Sequence, residues 1–182
     1  MFDFTANLEP PDSASVQNPY REWIGAQIRA DVFSYVAIGR PQLAAELAWR
    51  DASISHVKNG IYGAMWVAAM LSVAMLHTDP QNIIEIGLSE IPEKSRFFEA
   101  ITKIIKQYDH GASYSEALQF IHQSWQETSP HHWCHTISNA QIVALGLLYS
   151  EGDYEKAITR TVLACFDTDC NGANAGSVIG VL

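Results

Sequence analysis

The chain is dominated by apolar positions that repeat three or four residues apart, whereas alternation of apolar and polar residues never persists beyond a few positions. The first pattern is typical of helices with one buried face, and the second would be needed for strands. The segment 95–108 is a clear example of the helical pattern. Its apolar residues are Phe98, Ile101, Ile104 and Ile105, and its opposite face carries Lys103 and Lys106. We therefore predict an all-α protein.

Capping residues and prolines indicate where the helices begin and end. The predicted helices are 19–36, 42–49, a central helix from about 54 to 76, 80–92, 95–108, 115–125, 139–149, 155–165 and a small-residue helix near the C-terminus. Ser113 and Glu116 have the spacing of a capping box. Residues 1–18 carry Pro10 and Pro11 without periodicity, which predicts an irregular arm. We expect residues 19–182 to form a single all-α domain.

The most apolar stretch, Ile61 to Leu76, is 16 residues long and uncharged. A membrane-spanning helix needs about 20 such residues. Small residues are frequent in this stretch, as expected of a helix that is buried on all sides. We therefore interpret it as the core helix of a bundle and predict no membrane partner.

Composition narrows the class of protein further. Of 182 residues, 48% are hydrophobic and 17% are charged, which excludes general disorder. The net charge of −9 argues against nucleic acid as a partner, since that needs a basic surface. The three cysteines, Cys134, Cys165 and Cys170, are odd in number and include no CxxC pair, which predicts reduced thiols and a cytoplasmic location. We predict Cys165 to be packed in the core.

The segment 166–180 carries the clearest candidate chemistry. Asp167 and Asp169 stand at positions i and i+2, and carboxylates suit hard cations such as Mg²⁺, Mn²⁺ or Ca²⁺. Glycine then recurs every four residues on one helical face, at Gly172, Gly176 and Gly180. A simpler interpretation is that Asp169 or Asn171 caps a buried helix and the glycines allow close packing. The spacing alone favours that interpretation.

The same segment resembles the C-terminal metal motif of the ADP-ribosylglycohydrolase family. These proteins are all-α dimetal hydrolases that remove ADP-ribose from protein side chains or small molecules. Three more segments resemble one bacterial branch of the family, in the family's order: 25–31, 56–66 and 135–140. The resemblance covers most of the chain from about Pro19 onward. It implies a multi-helix orthogonal bundle.

The resemblance also implies a metal site. The family holds two Mg²⁺ ions between an early and a late acidic cluster, and the late cluster corresponds to Asp167 and Asp169. The next residue, often a ligating Thr, is Cys170 here, and a thiol is a poor ligand for a hard cation. The early cluster, with its Thr-Asp-Asp-Thr type motif, is absent from this sequence. We therefore expect an incomplete fold with at most half of the metal site, weak metal binding and poor turnover.

Four residues near the start of the central helix are implied to bind ligand: His56, Asn59, Gly60 and Tyr62. A helix N-terminus offers unpaired N–H groups that suit a diphosphate. Alternatively, His56 caps the helix or packs beside Trp49 or Trp66, and Gly60 permits close helix packing. We also expect Arg29 to pair with Asp51, or Asp31 with Arg50, rather than with a ligand.

A second group of implied ligand-binding residues lies in the run 135–140. His135 and Asn139 line the site if the resemblance extends to their roles. The alternative for His135 is a hydrogen bond to nearby backbone. His131 and His132 lie close to it in sequence, but no further ligand accompanies them at metal-binding spacing. We therefore predict that both are solvated.

The sequence supports a metal-dependent hydrolase acting on an ADP-ribosyl N- or O-glycosidic bond, with ADP-ribose or an ADP-ribosylated substrate as its ligand. The alternative is a module derived from that fold that binds ADP-ribose or a nucleotide without catalysis, or that self-associates as a homodimer.

Overall fold

The computed structural model describes residues 8–182, and these residues form eleven helices joined by short loops. The helices are α1 (Asp12–Ser15), α2 (Gly25–Ile28), α3 (Asp31–Tyr35), α4 (Pro41–Ala52), α5 (Asn59–Ala74), α6 (Pro80–Ser89), α7 (Arg96–Asp109), α8 (Tyr114–Ser124), α9 (Thr136–Leu148), α10 (Tyr154–Leu163) and α11 (Thr168–Ile179). Within this range the pairing of extended backbone is limited to one isolated bridge between Trp23 and His135.

Helix α5 lies at the centre and packs against α2, α3, α4, α6, α7, α9 and α11. Its side chains Trp66, Met70 and Leu71 are fully buried, so the predicted core helix is confirmed. It begins at Asn59 rather than near Ile54, because Lys58 adopts a positive φ of 46° that interrupts the helical path. Across residues 8–182, the helices fall short of the length and apolar character that a bilayer crossing requires.

Helix α9 is the second buried helix, and it packs against α7, α8, α10 and α11. Every residue from Thr136 to Leu148 is buried. The helix begins three residues earlier than predicted, because its N-cap is His135. Ser138, which directly precedes the predicted helix 139–149, instead donates to the carbonyl oxygens of His132 and His135.

The predicted helix over residues 19–36 is wrong, since the structure has only the two short helices α2 and α3 there. The backbone before α2 is held by a distant segment instead of by helical bonds. Ile24 N–H donates to the Cys134 carbonyl at 2.9 Å, and Thr136 N–H donates to the Glu22 carbonyl at 3.0 Å. This pairing anchors the loop before α9 to the loop before α2.

The irregular arm predicted for residues 1–18 lies partly outside the described residues. Within the described part, α1 forms one helical turn that buries Ala14. Ser13 donates to the Ile54 carbonyl at 2.8 Å and Asn18 donates to the Ser55 carbonyl at 2.8 Å. This turn therefore packs against the loop between α4 and α5.

The predicted start of α8 is confirmed. Ser113 and Glu116 form the predicted capping box at α8, and Ser95 caps α7. Cys165 does not lie in the core as predicted. It is exposed, because α10 ends at Leu163 and Cys165 follows in a left-handed conformation with φ 68°.

Candidate functional site

The acidic turn, residues 167–170, opens helix α11. Cys165 and Phe166 both take positive φ values, 68° and 58°, which turns the chain sharply out of α10. Asp167 then caps α11, with its Oδ1 accepting from the Cys170 N–H at 3.2 Å. The capping residue is thus Asp167, and neither Asp169 nor Asn171 caps this helix. A fixed N-cap defines the direction in which the next side chains leave the helix.

Three potential ligand atoms converge at the acidic turn. One atom each of Asp167, Asp169 and Cys170 lies within 4.8 Å of the other two. Asp169 is exposed, Asp167 is half-buried and Cys170 is buried. The two carboxylates fit a hard cation such as Mg²⁺, whereas the thiol does not. The three potential ligand atoms therefore combine two hard oxygen donors with one soft sulfur donor.

A second thiol borders the same carboxylate. Cys134 Sγ donates to Asp167 Oδ2 at 3.2 Å, and Cys134 is buried. Burial, assisted by the hydrogen bond and charge of Asp167, raises the pKa of Cys134 to about 12. Burial and Asp167 also raise the pKa of Cys170. Both thiols are protonated at neutral pH when the site holds only protein groups.

Asn139 fixes the acidic turn from helix α9. Its Oδ1 accepts from the Asp167 N–H at 3.0 Å and from Asn171 Nδ2 at 2.8 Å. Its Nδ2 donates at 2.9 Å to the carbonyl oxygens of Trp133 and His135. All four hydrogen-bonding positions of the amide are therefore used. This predicted ligand-binding residue is completely buried, and its amide holds the protein backbone.

His135 caps α9 beside this network, in agreement with the alternative interpretation from sequence. Its Nδ1 accepts from the Ile137 N–H at 3.1 Å. A neutral ring must then carry its proton on Nε2, which lies 3.4 Å from Glu22 Oε2. Trp125 stacks on the ring with centroids 5.0 Å apart. The imidazole is held in one orientation and one tautomer.

Glu22 connects His135 to the start of the central helix, a role that the sequence analysis missed. Its carboxylate accepts from Arg96 at 2.8 Å and from Asn59 Nδ2 at 3.4 Å. The hydrogen bond with His135 and the charge of Arg96 keep the pKa of Glu22 below its ordinary value, although burial opposes them. No local motif marks Glu22, because each of its partners is distant in sequence.

The predicted ligand residues at the start of α5 are largely used by the fold. Asn59 Oδ1 accepts from the Phe97 N–H at 3.1 Å and so supports the start of α7. A Cβ on Gly60 would come within 2.7 Å of the Arg21 carbonyl oxygen, which supports the packing interpretation. Tyr62 is half-buried against the hydrophobic core.

His56 precedes α5 by three residues and is 8% exposed. Its Nδ1 lies 2.8 Å from Ser55 Oγ, which also accepts from Arg29 at 3.0 Å. Burial and the Arg29 charge lower the pKa of His56 to about 4. The imidazole is therefore neutral at neutral pH. Arg29 also pairs with Asp51 at 2.7 Å, as one of the two expected alternatives predicts.

The structure brings Asp167, Asp169, Cys170 and Asn139 together and connects them to His135 through Asn139. It does not join His56 or Gly60 to them by any hydrogen bond among the described residues. A cavity of about 590 Å³ lies elsewhere, at the start of α4, and contains none of the predicted site residues. His131 is exposed, as predicted, whereas His132 accepts from the Gln126 N–H at 3.1 Å.

Comparison with known proteins agrees with this architecture. The family model described as ADP-ribosylglycohydrolase matches residues 2–182. Neither a curated protein nor a solved structure matches the chain. The chain belongs to the ADP-ribosylglycohydrolase family, and the all-α fold predicted from sequence is confirmed.

Proposed function

We propose that the chain is a metal-dependent hydrolase that cleaves an ADP-ribosyl N- or O-glycosidic bond, with Asp167 and Asp169 as metal ligands. The convergence of their oxygens at a rigidly capped helix start carries this proposal. Family membership supports the ADP-ribosyl substrate class. The exposed side chain of Asp169 is accessible to an ion and to a substrate that approaches from solvent.

The residues present account for one acidic cluster among those that the structure describes. A divalent cation, when bound there, supplies electrophilic polarisation of ribose oxygens and of a water molecule. The family uses two Mg²⁺ ions, and we propose that this chain holds at most half of that arrangement. Weak Mg²⁺ binding and slow turnover are the expected consequences.

The chain's own residues contribute orientation and charge. Asn139 holds the backbone of Asp167 in place, and His135 caps α9 directly after Cys134. Arg96, whose side chain is 66% exposed, brings positive charge to the region of Glu22 and Asn59. We propose that a substrate diphosphate interacts with this edge, since a cation there offsets phosphate charge.

Hydrolysis of ADP-ribosylated peptides in the presence of Mg²⁺ tests the proposal. Asp169→Asn removes an exposed carboxylate charge and is expected to abolish activity. Glu93→Gln removes a charge from another exposed residue and is expected to leave activity unchanged. Equal activity of the two variants would contradict the assignment of the acidic turn.

A self-associating protein is the second candidate. Four large apolar side chains in and after α3 are exposed: Val32, Tyr35, Val36 and Ile38. Exposed apolar patches are typical of protein–protein contacts. We propose a second copy of the chain as the partner. Light scattering that gives a dimer mass, reduced to a monomer by Val36→Glu, supports this candidate, and a wild-type monomer contradicts it.

The three cysteines form no disulfide among the described residues. This supports a reducing compartment, and we propose the cytoplasm as the location.

A further inference from the structure

One of the three donor atoms at the acidic turn, the Cys170 sulfur, is not a ligand that Mg²⁺ prefers. Cys170 places a thiol within 4.8 Å of one oxygen each of Asp167 and Asp169. Magnesium takes oxygen ligands and retains its waters, whereas thiolates select softer ions such as Zn²⁺ and Cd²⁺. A site with two carboxylates and one thiol therefore differs in chemistry from a site with oxygen donors alone.

The position of Cys170 is fixed by the fold. Its N–H is the group that Asp167 caps, so backbone and carboxylate are joined at 3.2 Å. The residue is 8% exposed, which restricts the motion of the side chain. A ligand atom that is held in advance loses less conformational freedom when an ion binds.

Cys134 approaches the same carboxylate from the loop before α9. Its thiol donates to Asp167 Oδ2 at 3.2 Å and so orients the carboxylate from outside the group of three donors. A hydrogen bond to a ligating carboxylate is the usual way in which a protein fixes the ligand's direction. Two thiols therefore border Asp167.

An unpartnered acceptor adjoins the acidic turn. Asn139 uses its Nδ2 on two carbonyl groups, so it presents Oδ1 to Asn171. Asn171 must therefore donate its Nδ2–H to that oxygen. Its own Oδ1 is left buried and without a hydrogen-bond partner among residues 8–182. Asn171 Nδ2 and the Asp167 N–H share the same Asn139 oxygen, so the amide with the unpartnered acceptor belongs to the network that holds the acidic turn. A bound cation or its water would satisfy it.

We infer that the acidic turn binds a thiophilic divalent cation, Zn²⁺ or Cd²⁺, in preference to Mg²⁺, through Cys170 together with Asp167 and Asp169. The inference rests on the proposed metal site and names the ion that this site selects. When the ion binds, the Cys170 S–H bond breaks, a bond from Sγ to the cation forms, and the proton passes to the buffer.

Cd²⁺ titration followed by ultraviolet absorption tests the inference, because a thiolate bound to Cd²⁺ has a charge-transfer band that carboxylates lack. Cys165→Ser is the background for the whole experiment, since Cys165 is exposed and would bind Cd²⁺ by itself. We expect a saturable band in this background, with loss of the band in Cys165→Ser/Cys170→Ser. Millimolar Mg²⁺ is expected to leave the band in place.

Affinity measured by calorimetry gives a second readout. Cys170→Ser removes a ligand atom, so we expect Zn²⁺ binding to weaken by at least about 10-fold, the lower end of what loss of a ligand's hydrogen-bond partner costs. Cys170→Thr supplies the oxygen that the family often has at this position, so we expect it to bind Mg²⁺ more tightly than wild type does. Circular dichroism verifies that each variant is folded. Asp169→Asn, at an exposed residue, provides an additional variant that must weaken Zn²⁺ binding.

Absence of the band in the Cys165→Ser background would overturn the inference, as would a band that survives Cys170→Ser or is removed by Mg²⁺. None of these measurements uses a substrate. A chain that hydrolyses an ADP-ribosyl bond with Mg²⁺ but shows no band would keep the proposed function and lose the inference. A chain that shows the band but does not hydrolyse the bond would keep the inference and lose the proposed function.

Discussion

The acidic turn and the start of helix α5 differ in how their polar groups are used. At the acidic turn, buried Asn139 holds the backbone of Asp167, and the side chain of Asp169 stays exposed to solvent. At the start of α5, Asn59 accepts from the Phe97 N–H in the first turn of α7, and the Arg21 backbone packs tightly against Gly60. Only the first combines a rigid frame with an accessible carboxylate.

This difference separates residues that hold a site from residues that serve as its ligands. A buried polar group whose hydrogen bonds are all made by protein stabilises the fold, and a ligand must compete with those bonds. Asp169 has no such competition, because water is its main alternative partner. The comparison predicts large stability effects at Asn139, Gly60 and His56, and a purely functional effect at Asp169.

Asn139→Leu is expected to have the largest effect on stability. The change leaves the Asp167 N–H, the Asn171 amide and the Trp133 carbonyl without their partner, whereas the His135 carbonyl keeps its hydrogen bond from Ser138. We predict a loss of about 4 kcal/mol in the free energy of unfolding, measured by urea denaturation. Asn82→Ala, at a more exposed residue, serves as the control and should cost below about 1 kcal/mol. If Asn139→Leu also costs less than about 1 kcal/mol, the Asn139 hydrogen bonds do not hold the acidic turn rigidly.

Gly60→Ala tests the packing at the start of α5. The added Cβ would lie 2.7 Å from the Arg21 carbonyl oxygen, so the backbone must shift. We predict a loss of about 2 to 3 kcal/mol in the free energy of unfolding. Gly111→Ala is not a suitable control, because Gly111 has a positive φ. Gly176→Ala is suitable, since its Cβ would lie at an ordinary 3.6 Å from Ile158. Equal stability of Gly60→Ala and Gly176→Ala would contradict the packing interpretation.

His56 predicts a pH dependence of stability. Its pKa falls from 6.5 to about 4 on folding, so the unfolded chain binds more protons between these values. The neutral ring contributes fully to the free energy of unfolding above pH 6.5, and this contribution is lost progressively as the pH falls towards 4. From pH 7 to pH 5 we predict that wild type loses about 2 kcal/mol more of its free energy of unfolding than His56→Gln does. Identical losses would mean that His56 titrates normally in the folded protein.

Asp169→Asn is expected to have the smallest effect on stability. The side chain is exposed and is not the N-cap of α11, so its free energy of unfolding should change by less than about 0.5 kcal/mol. Urea denaturation in the absence of divalent cations measures this change. A loss above about 1 kcal/mol would place Asp169 in the frame of the turn rather than among its ligands.

Sequence reasoning succeeded where the signal is local. The helical period defined the fold class, and the spacing of Ser113 and Glu116 predicted a cap that the structure contains. It failed where distant segments meet. Residues 22–24 pair with residues 134–136 instead of forming a helix, and neither segment alone carries a signal for that pairing.

The candidate site shows the same division. Asp167 and Asp169 stand out by their spacing, and the structure places their oxygens together. Glu22 and Cys134 carry no motif, because they reach His135 and Asp167 only through tertiary contacts. Cys165 was assigned to the core because it ends an apolar run. Cys165 itself and Phe166 adopt left-handed conformations that expose the thiol. Neither residue is a glycine, so the sequence carries no signal for this turn.

The most direct test of the account is the change in melting temperature that ADP-ribose and a divalent cation produce together in wild type and in Asp169→Asn. A ligand that binds only the folded state raises the melting temperature by mass action. We expect the melting temperature to rise in wild type with Mg²⁺ or Zn²⁺, the rise to be lost in Asp169→Asn, and the rise to be retained in Glu93→Gln. An equal rise in wild type and Asp169→Asn would contradict the central claim that the acidic turn holds the ion.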